Sequence, residues 1–365
     1  MKKFLGMAAA LSGLLLAACG QAAEEPAYTP ATTEEADTTA TTDDTVASDV
    51  VVLYSNALSD GRGDWIAEHA LAEIGIELQM VDGGGVYLAN RILAEQAAPI
   101  ADVVFGLNQI LWQSLVNEGA ITPYVPVWAD EVDASLNNPD GYFHAVALVV
   151  NLLAYDLGQM DPADAPADWT DLWNDERFIG TYALPQGLGG STIQMVLSGI
   201  FNRYLDENGD MGLSEEGWAQ IAAKFANGVP TDQDLFAEWV NETNDVVASQ
   251  IWHMGIAPRE AQFDIQAGIV VPEIGVPVSV EGVALINGAN NPEAAQRFMD
   301  WFGSADVMNR FGYAFDYLPA NPNALEGLPE FTLMMAELPR QDINWPVISS
   351  HMAQWIERIY LNYMQ

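Results

Sequence analysis

Residues 49–118 read DVVVLYSNALSDGRGDWIAEHALAEIGIELQMVDGGGVYLANRILAEQAAPIADVVFGLNQILWQSLVNE, and the order of patterns in this stretch decides the fold. Residues 49–54 are a short, apolar, β-branched run of the kind that forms a buried strand. The run breaks at Ser55-Asn56-Ala57-Leu58-Ser59-Asp60-Gly61, and helical spacing of apolar residues follows over 65–74. Residues 76–81 alternate as a second strand. A glycine turn at 83–85 leads into a helix over 86–96, and 101–106 followed by 109–118 repeat the strand-then-helix order. Alternation of this kind builds an α/β layer, a mostly parallel sheet with helices on both faces. Such sheets bind ligands beyond the carboxyl ends of their strands. Here those ends carry Tyr54-Ser55-Asn56, the glycine turn and Gly106-Leu107-Asn108.

Outward from this block, residues 143–153 form the next strand candidate, and Pro162 and Pro166 punctuate the chain after it. Gln186-Gly-Leu-Gly-Gly190-Ser191-Thr192 opens a helix over 193–205, and a second helix covers 215–226. Strand patterns recur at 246–252, 269–271 and 283–286. Residues 292–302 are helical with Asn291 as the expected N-cap, and 348–363 form an amphipathic helix. A length of 365 residues suits about two domain-sized units.

The chain carries 51 Asp and Glu against 12 Lys and Arg, a net charge of −39. Nucleic-acid binders need a basic footprint, and Lys2, Lys3 and Lys224 are the only lysines, so no nucleic-acid partner is expected. Half the residues are apolar and aromatic side chains are plentiful, which excludes a chain disordered throughout. One apolar run, at the N-terminus, is long enough to consider for a membrane. Solubility, a saline habitat and repulsion from anionic surfaces all remain open as reasons for the acidity.

That run begins MKKFLGMAAALSGLLLAAC. Two lysines precede an apolar segment of signal-peptide length, too short to span as a helix. Its end, Leu16-Ala17-Ala18-Cys19, resembles the lipobox of bacterial lipoproteins; the resemblance implies a signal peptide over 1–18, cleavage before Cys19, and lipid on its thiol. Cys19 is the sole cysteine, which rules out an internal disulfide and a cysteine-based metal or catalytic site. Residues 20–48 are Thr, Ala, Glu and Asp with almost nothing large and apolar, and read with Cys19 as an acidic, disordered tether. With the tether's seven acids and the two leader lysines set aside, 44 acids and 10 bases remain on residues 49–365, a net −34.

Several stretches together resemble the extracellular solute-binding proteins of ABC importers, the ferric-binding-protein-like branch of the periplasmic-binding-protein type 2 fold. They are VVVLYSN, GGGVYLANRILAE, ADVVFGLN, the GGST helix start, VVPEIGVPVSVEGVALINGANNPEAAQRFMDWF and YLPANP, spread over about residues 50–322. The resemblance implies two α/β lobes, each a mostly parallel sheet flanked by helices, that close on ligand about two hinge crossings. The crossings should fall near 148–151 and 270–278. Lobe 1 would comprise 49–150 and 277–322, lobe 2 would comprise 151–276, and 323–365 would be a helical segment packed on the lobes. Expected partners are a small-molecule ligand, an ABC permease and its ATPase, and the membrane through the lipid anchor, with the protein a monomer at the extracellular face of the cytoplasmic membrane. No cofactor is expected.

An interlobe cleft is the default site in such a fold. The GGST turn, with Gly190, Ser191 and Thr192 opening a helix, suits an anion because free N–H groups, the helix dipole and two hydroxyls converge there; it also reads as a plain N-cap. Ser55, Asn56, Gly84 and Asn108 are placed at the cleft by the strand-end rule, with turn chemistry as the competing reading. Ferric-binding members carry two adjacent tyrosines after the strand that here ends near Ile251. This chain has Trp252-His253 instead, so that iron motif is missing. Trp252 would stack on a ring or cover an apolar face, and His253 would donate to a phosphate or carboxylate, with a satisfied core or loop histidine as its competing reading. Arg259 and Arg62 are the candidate cations, though a solvated ion pair is the preferred reading of each. The favoured ligand is anionic, an organophosphate or phosphonate; the alternatives are iron(III) or another metal, thiamine or a polyamine. A sensor or adhesin on the same fold is the other function class. Asp206-x-Asn208-x-Asp210 begins like a calcium loop but has Met211 where that loop needs glycine, and reads as an acidic turn. Arg62-Gly63-Asp64 is an adhesion-type tripeptide that more simply begins the first helix. The four dispersed histidines and the absence of a nucleophile elbow or phosphate loop give no support to an enzyme.

Overall fold

The computed structural model describes residues 49–364 apart from 232, 233 and 242. The leader, Cys19 and the tether therefore lie outside the described residues. The chain begins with β1 (Asp49–Ser55), α1 (Arg62–Ile74), β2 (Ile76–Asp82), α2 (Gly85–Ala94), β3 (Val103–Gly106) and α3 (Gln109–Asn117). Then come β4 (Ile121–Thr122), β5 (His144–Asp156), α4 (Asp171–Asn174), β6 (Ala183–Pro185), α5 (Ser191–Asn202), β7 (Leu205–Asp210), α6 (Glu215–Asn227) and β8 (Val229–Thr231). β9 (Ala248–Trp252), α7 (Ile256–Phe263), β10 (Ala267–Val270), β11 (Val278–Ile286), α8 (Pro292–Phe302) and α9 (Ala305–Phe315) follow. The chain closes with β12 (Leu318–Pro319), α10 (Glu330–Glu337) and α11 (Trp345–Asn362).

β1 lies between β2 and β3 with parallel pairing on both sides, as right-handed strand–helix–strand crossovers require. β11 then adds antiparallel to β3, and the first half of β5 adds antiparallel to β11. The second half of β5 pairs with β9 and β10, again antiparallel. Parallel pairing thus holds within β2, β1 and β3 and between β6 and β8, while every strand laid against β5 runs the other way. The reason is the chain path: it leaves the first lobe along β5 and returns along β10 and β11. The result is a two-lobed α/β molecule joined through its crossing strands.

The first lobe buries α8 and α9 against one face of its sheet through Phe298, Phe302 and Phe311, and α2 and α3 against the other through Leu88 and Trp112. In the second lobe α5 and α6 meet α11 through Phe201, Trp218 and Trp355. α11 lies on α5 and also touches α3. Its Trp355 ring sits 4.4 Å from that of Phe201. The buried Asp102 carboxylate accepts from Val52 N–H at 2.9 Å and from Asn291 N–H at 2.8 Å, tying the central strands to the start of α8. Asn291 does hold the N-cap position, but its side chain does not cap; it turns back to Asp102. The acidic stretch at Asp206 folds as β7 and a tight turn in which Asp206 accepts from Asn208 N–H at 2.9 Å. Among the described residues no group of three acidic, His or Cys side chains is disposed to hold a metal ion.

Two positive-φ residues shape the carboxyl end of β3: Gly106 at φ 98° and Leu107 at φ 58°. They turn the Leu107 N–H onto Asn56 Oδ1 at 2.6 Å, which joins the ends of β1 and β3. A Cβ on Gly106 would run into that same oxygen. Gly106→Ala should therefore lose about 2–3 kcal/mol from positive-φ strain and the displaced Asn56. Urea denaturation should show a lower midpoint at unchanged slope.

Candidate functional site

The carboxyl ends of β1 and β2, the start of α5 and the end of β9 face one another across a cleft of about 490 Å³. The first lobe contributes Asn56, Ser59, Arg62, Asp82 and the glycine turn 83–85. The second contributes Pro185, Gly187, Gly190, Ser191, Thr192, Gln250 and Trp252. Val149, Asn151 and Glu281 of the crossing strands, with Tyr317, also line it.

α2 and α5 begin in this cleft without a capping side chain; α1, which begins at Arg62, also lacks one, but its first N–H groups go to the Ser59 and Leu58 carbonyls. α2 starts after Gly84 and α5 after Gly190, both in extended backbone. The first N–H groups of such helices have no partner within the helix, and their dipoles carry partial positive charge. Of these glycines only Gly85 is needed for space: a Cβ there would sit 2.9 Å from the Leu111 side chain, while one on Gly84 would meet nothing within 4 Å. α3, by contrast, is capped by its own Asn108, whose Oδ1 accepts from Ile110 and Leu111 N–H at 3.2 and 3.1 Å.

A polar chain joins the α5 start to the crossing strands. Asn108 Nδ2 donates to Gln194 Oε1 at 2.9 Å and reaches Ser191 Oγ at 3.4 Å. Ser191 Oγ lies 3.4 Å from Ser279 Oγ, to which Asn151 Nδ2 donates at 3.2 Å. Asn151 also donates to Val149 and Pro277 carbonyls, while its buried Oδ1 has no partner among the described residues. These contacts cross between the lobes, so the orientation of the α5 N-terminus is coupled to the hinge.

The ionisable side chains in the cleft include Arg62, Asp82 and Glu281. Arg62 is 4 % exposed; its Nε donates to the Ala57 carbonyl at 3.0 Å, and Nη2 meets Ser59 and Asp60. The preferred sequence reading, a solvated ion pair, does not hold for it: burial lowers its pKa against the opposing pull of Asp60 and Glu281. Glu281 is 6 % exposed, and burial pushes its pKa up to about 8 despite Arg62 nearby. The Tyr317 hydroxyl donates to Glu281 Oε2.

Of the residues expected from the sequence, Asn56, Gly84, Gly190, Ser191, Thr192 and Trp252 line the cleft. Asn108 stands behind it, bonded to Ser191 and Gln194. Ser55, His253 and Arg259 lie off the lining. Ser55 is buried and its Oγ accepts from Ala57 N–H at 3.0 Å, which is turn chemistry. Arg259 pairs with Asp234 at 2.9 Å and lies 4.4 Å above the Trp252 ring, which it braces from outside. His253 is fully buried: Val150 N–H donates to its Nδ1 at 3.1 Å, so Nε2 carries the proton and donates to the Asp316 carbonyl at 3.0 Å. It pins the crossing strand and is spent on backbone. Arg62 was weighed from the sequence; Glu281, Tyr317, Asp82, Asn151 and Gln250 were missed. Tyr317 heads the YLPANP stretch, the one signal that pointed to it.

Two lobes hinged on paired crossing strands, with an open cleft between uncapped helix starts, define a solute-binding protein. The sequence profile of the bacterial extracellular solute-binding proteins matches residues 98–335. A probable ABC transporter periplasmic-binding protein, y4fP of Sinorhizobium fredii, is 32% identical over 320 residues, covering 87% of each chain. The chain belongs to this family of extracellular solute-binding proteins, the substrate-binding components of ABC transporters. A putative 2-aminoethylphosphonate-binding periplasmic protein of Salmonella typhimurium is 24% identical over 306 residues, 77% of this chain and 86% of its own. Among solved structures, iron-bound HitA of Pseudomonas aeruginosa shares the fold with a TM-score of 0.72 at 19% identity, over 85% of this chain and 98% of its own. The named relatives are binding and transport proteins.

His253 supplies a test of the hinge. Burial lowers its pKa from 6.5 to about 4, so the folded state prefers the neutral ring. The stability it adds is complete above pH 6.5 and is lost as pH falls from there towards 4. His253→Ala should cost about 2–4 kcal/mol at neutral pH through the vacated space and the unpaired Val150 N–H. The gap in urea midpoint between wild type and variant should narrow by pH 4.5; a constant gap would contradict the neutral ring.

Proposed function

We propose that this protein captures a small anionic ligand, of the organophosphate or phosphonate kind, in the interlobe cleft and hands it to an ABC permease driven by its ATPase. The observation that carries this reading is the pair of uncapped helix N-termini at Gly84 and Gly190, opening into one cleft beside the Arg62 guanidinium. Backbone N–H groups at helix starts are well suited to phosphate-like oxygens. The resemblance to the 2-aminoethylphosphonate-binding relative supports the same ligand class.

A cation is the second reading, favoured by Asp82, Glu281 and Tyr317 in the lining and by the iron-bound structure of similar fold. The buried Glu281 holds its proton near neutral pH and Tyr317 spends its own on Glu281, which counts against a metal in this cleft. The anionic reading therefore stands first.

A ligand that binds only the folded form raises the melting temperature by mass action. Purified protein should be screened with sugar phosphates, phosphonates, phosphate, Fe(III), divalent metals, thiamine and polyamines. Stabilisation by cations alone would sink the anionic reading. Ser191→Ala with Thr192→Ala should weaken an anionic ligand by about tenfold in calorimetric titration, the worth of one or two hydrogen bonds. An unchanged Kd would remove both hydroxyls from the site.

We also propose that Cys19 anchors the protein by lipid, on the lipobox-like Leu16-Ala17-Ala18-Cys19. The protein would then act as a monomer at the outer face of the cytoplasmic membrane. Cys19→Ser should move the protein from the membrane fraction to the soluble fraction of expressing cells, and a variant that stays with membranes would refute the anchor.

A further inference from the structure

We propose that Glu281 is a specificity-determining residue of the cleft, its carboxyl donating a hydrogen bond to an oxyanion oxygen of the bound ligand. The inference deepens the anionic reading and rests on it. Glu281 projects from β11 where that strand pairs with Ala147 of β5, beside a break in the pairing register between Glu281 and Gly282. It lines the cleft, and the Tyr317 hydroxyl already donates to its Oε2. Oε2 is thereby the accepting oxygen, and a proton carried by the carboxyl belongs on Oε1. No group among the described residues bonds Oε1.

The surroundings favour that proton. The charge that acts on the carboxyl is Arg62 of α1, and Tyr317 ahead of β12 bonds it; Asp60 and Asp82, the latter at the end of β2, act in turn on Arg62, and Arg62 acts on His253 after β9. Asp60 and Asp82 both bear on Arg62, so its charge is already shared. His253 is held neutral by its burial. Burial raises the Glu281 pKa to about 8, which keeps the acid protonated at neutral pH. A neutral acid can donate where a carboxylate can only accept. The same proton removes a negative charge that would repel an anion drawn to Arg62 and the two helix starts. No proton changes hands below the pKa; above it, the carboxylate must take one from solvent before the anion can be held. Tight binding then requires the protonated acid.

The test is calorimetric titration of the full chain with methylphosphonate from pH 6.5 to 9.0, in wild type and in Glu281→Gln. The amide keeps a donor at every pH, and the ratio of the two Kd values cancels the probe's own titration. The wild-type-to-variant Kd ratio should rise about tenfold across this range, with its break near 8. Tyr317→Phe, which removes the donor to Oε2, should move that break upward, and circular dichroism checks that both variants fold. A flat ratio at measurable binding overturns the role of Glu281 while leaving the anionic reading intact. Tighter wild-type binding at high pH would make Glu281 an acceptor and overturn the proposal as well. Absence of methylphosphonate binding at any pH, with Fe(III) or a diamine raising the melting temperature, would overturn both.

Discussion

Strand β5 is buried along its whole length, from His144 to Asp156, and both lobes hang on it. Its first half completes the sheet of one lobe through β11 and β12, and its second half carries β9 and β10 of the other. A buried strand must satisfy every backbone N–H and C=O. At Val150 and Asn151, where β5 changes partners, the ladder alone does not do this. His253 accepts from Val150 N–H and the Pro277 carbonyl accepts from Asn151 N–H. The polar residues at the joint, Asn151, Ser279 and His253, are therefore parts of the backbone bookkeeping as much as neighbours of the cleft. They hold the shared wall of the cleft while the lobes on either side remain attached by strands.

The cleft also resolves an electrostatic tension. The folded part carries a net −34, yet the anionic ligand proposed above would be held by local means. At physiological ionic strength charges farther apart than about 8 Å are largely screened. What a ligand meets inside the cleft is set by two helix starts, one buried guanidinium, and a carboxyl kept neutral by burial. Each of these acts at contact distance and owes nothing to surface charge. The acidity of the surface thus says little about the ligand, while burial of single groups says a great deal.

The sequence carried the first lobe almost completely. Alternating strand and helix patterns over residues 49–118 placed β1, α1, β2, α2, β3 and α3 to within a few residues, because period and turn residues act locally. Less was legible where tertiary packing overrides local pattern. Helices α7 and α9 were not anticipated, α10 was expected only as part of a helical segment over 323–365, and the antiparallel pairing around β5 depends on the return path of the chain. Within the cleft, Asn56, Gly84, Gly190, Ser191 and Thr192 followed from the rule that ligands meet strand ends and helix starts. His253 and Arg259 followed from the same neighbourhood but face the hinge and the outer side of Trp252.

By itself the sequence determined the α/β class, the order of elements, the acidic surface, and the glycine-opened helix starts, all of which depend on spacings of a few residues. Only the tertiary structure decided which charges enter the cleft. Arg62, Glu281 and Tyr317 come from three regions of the chain; Arg62 was weighed as a cation from its own stretch, but nothing local joined it to the other two. They meet because α1, β11 and the segment before β12 converge on the crossing strands. Burial at that meeting point, which no local pattern encodes, turns an ordinary glutamate into a neutral acid and an ordinary arginine into a desolvated cation.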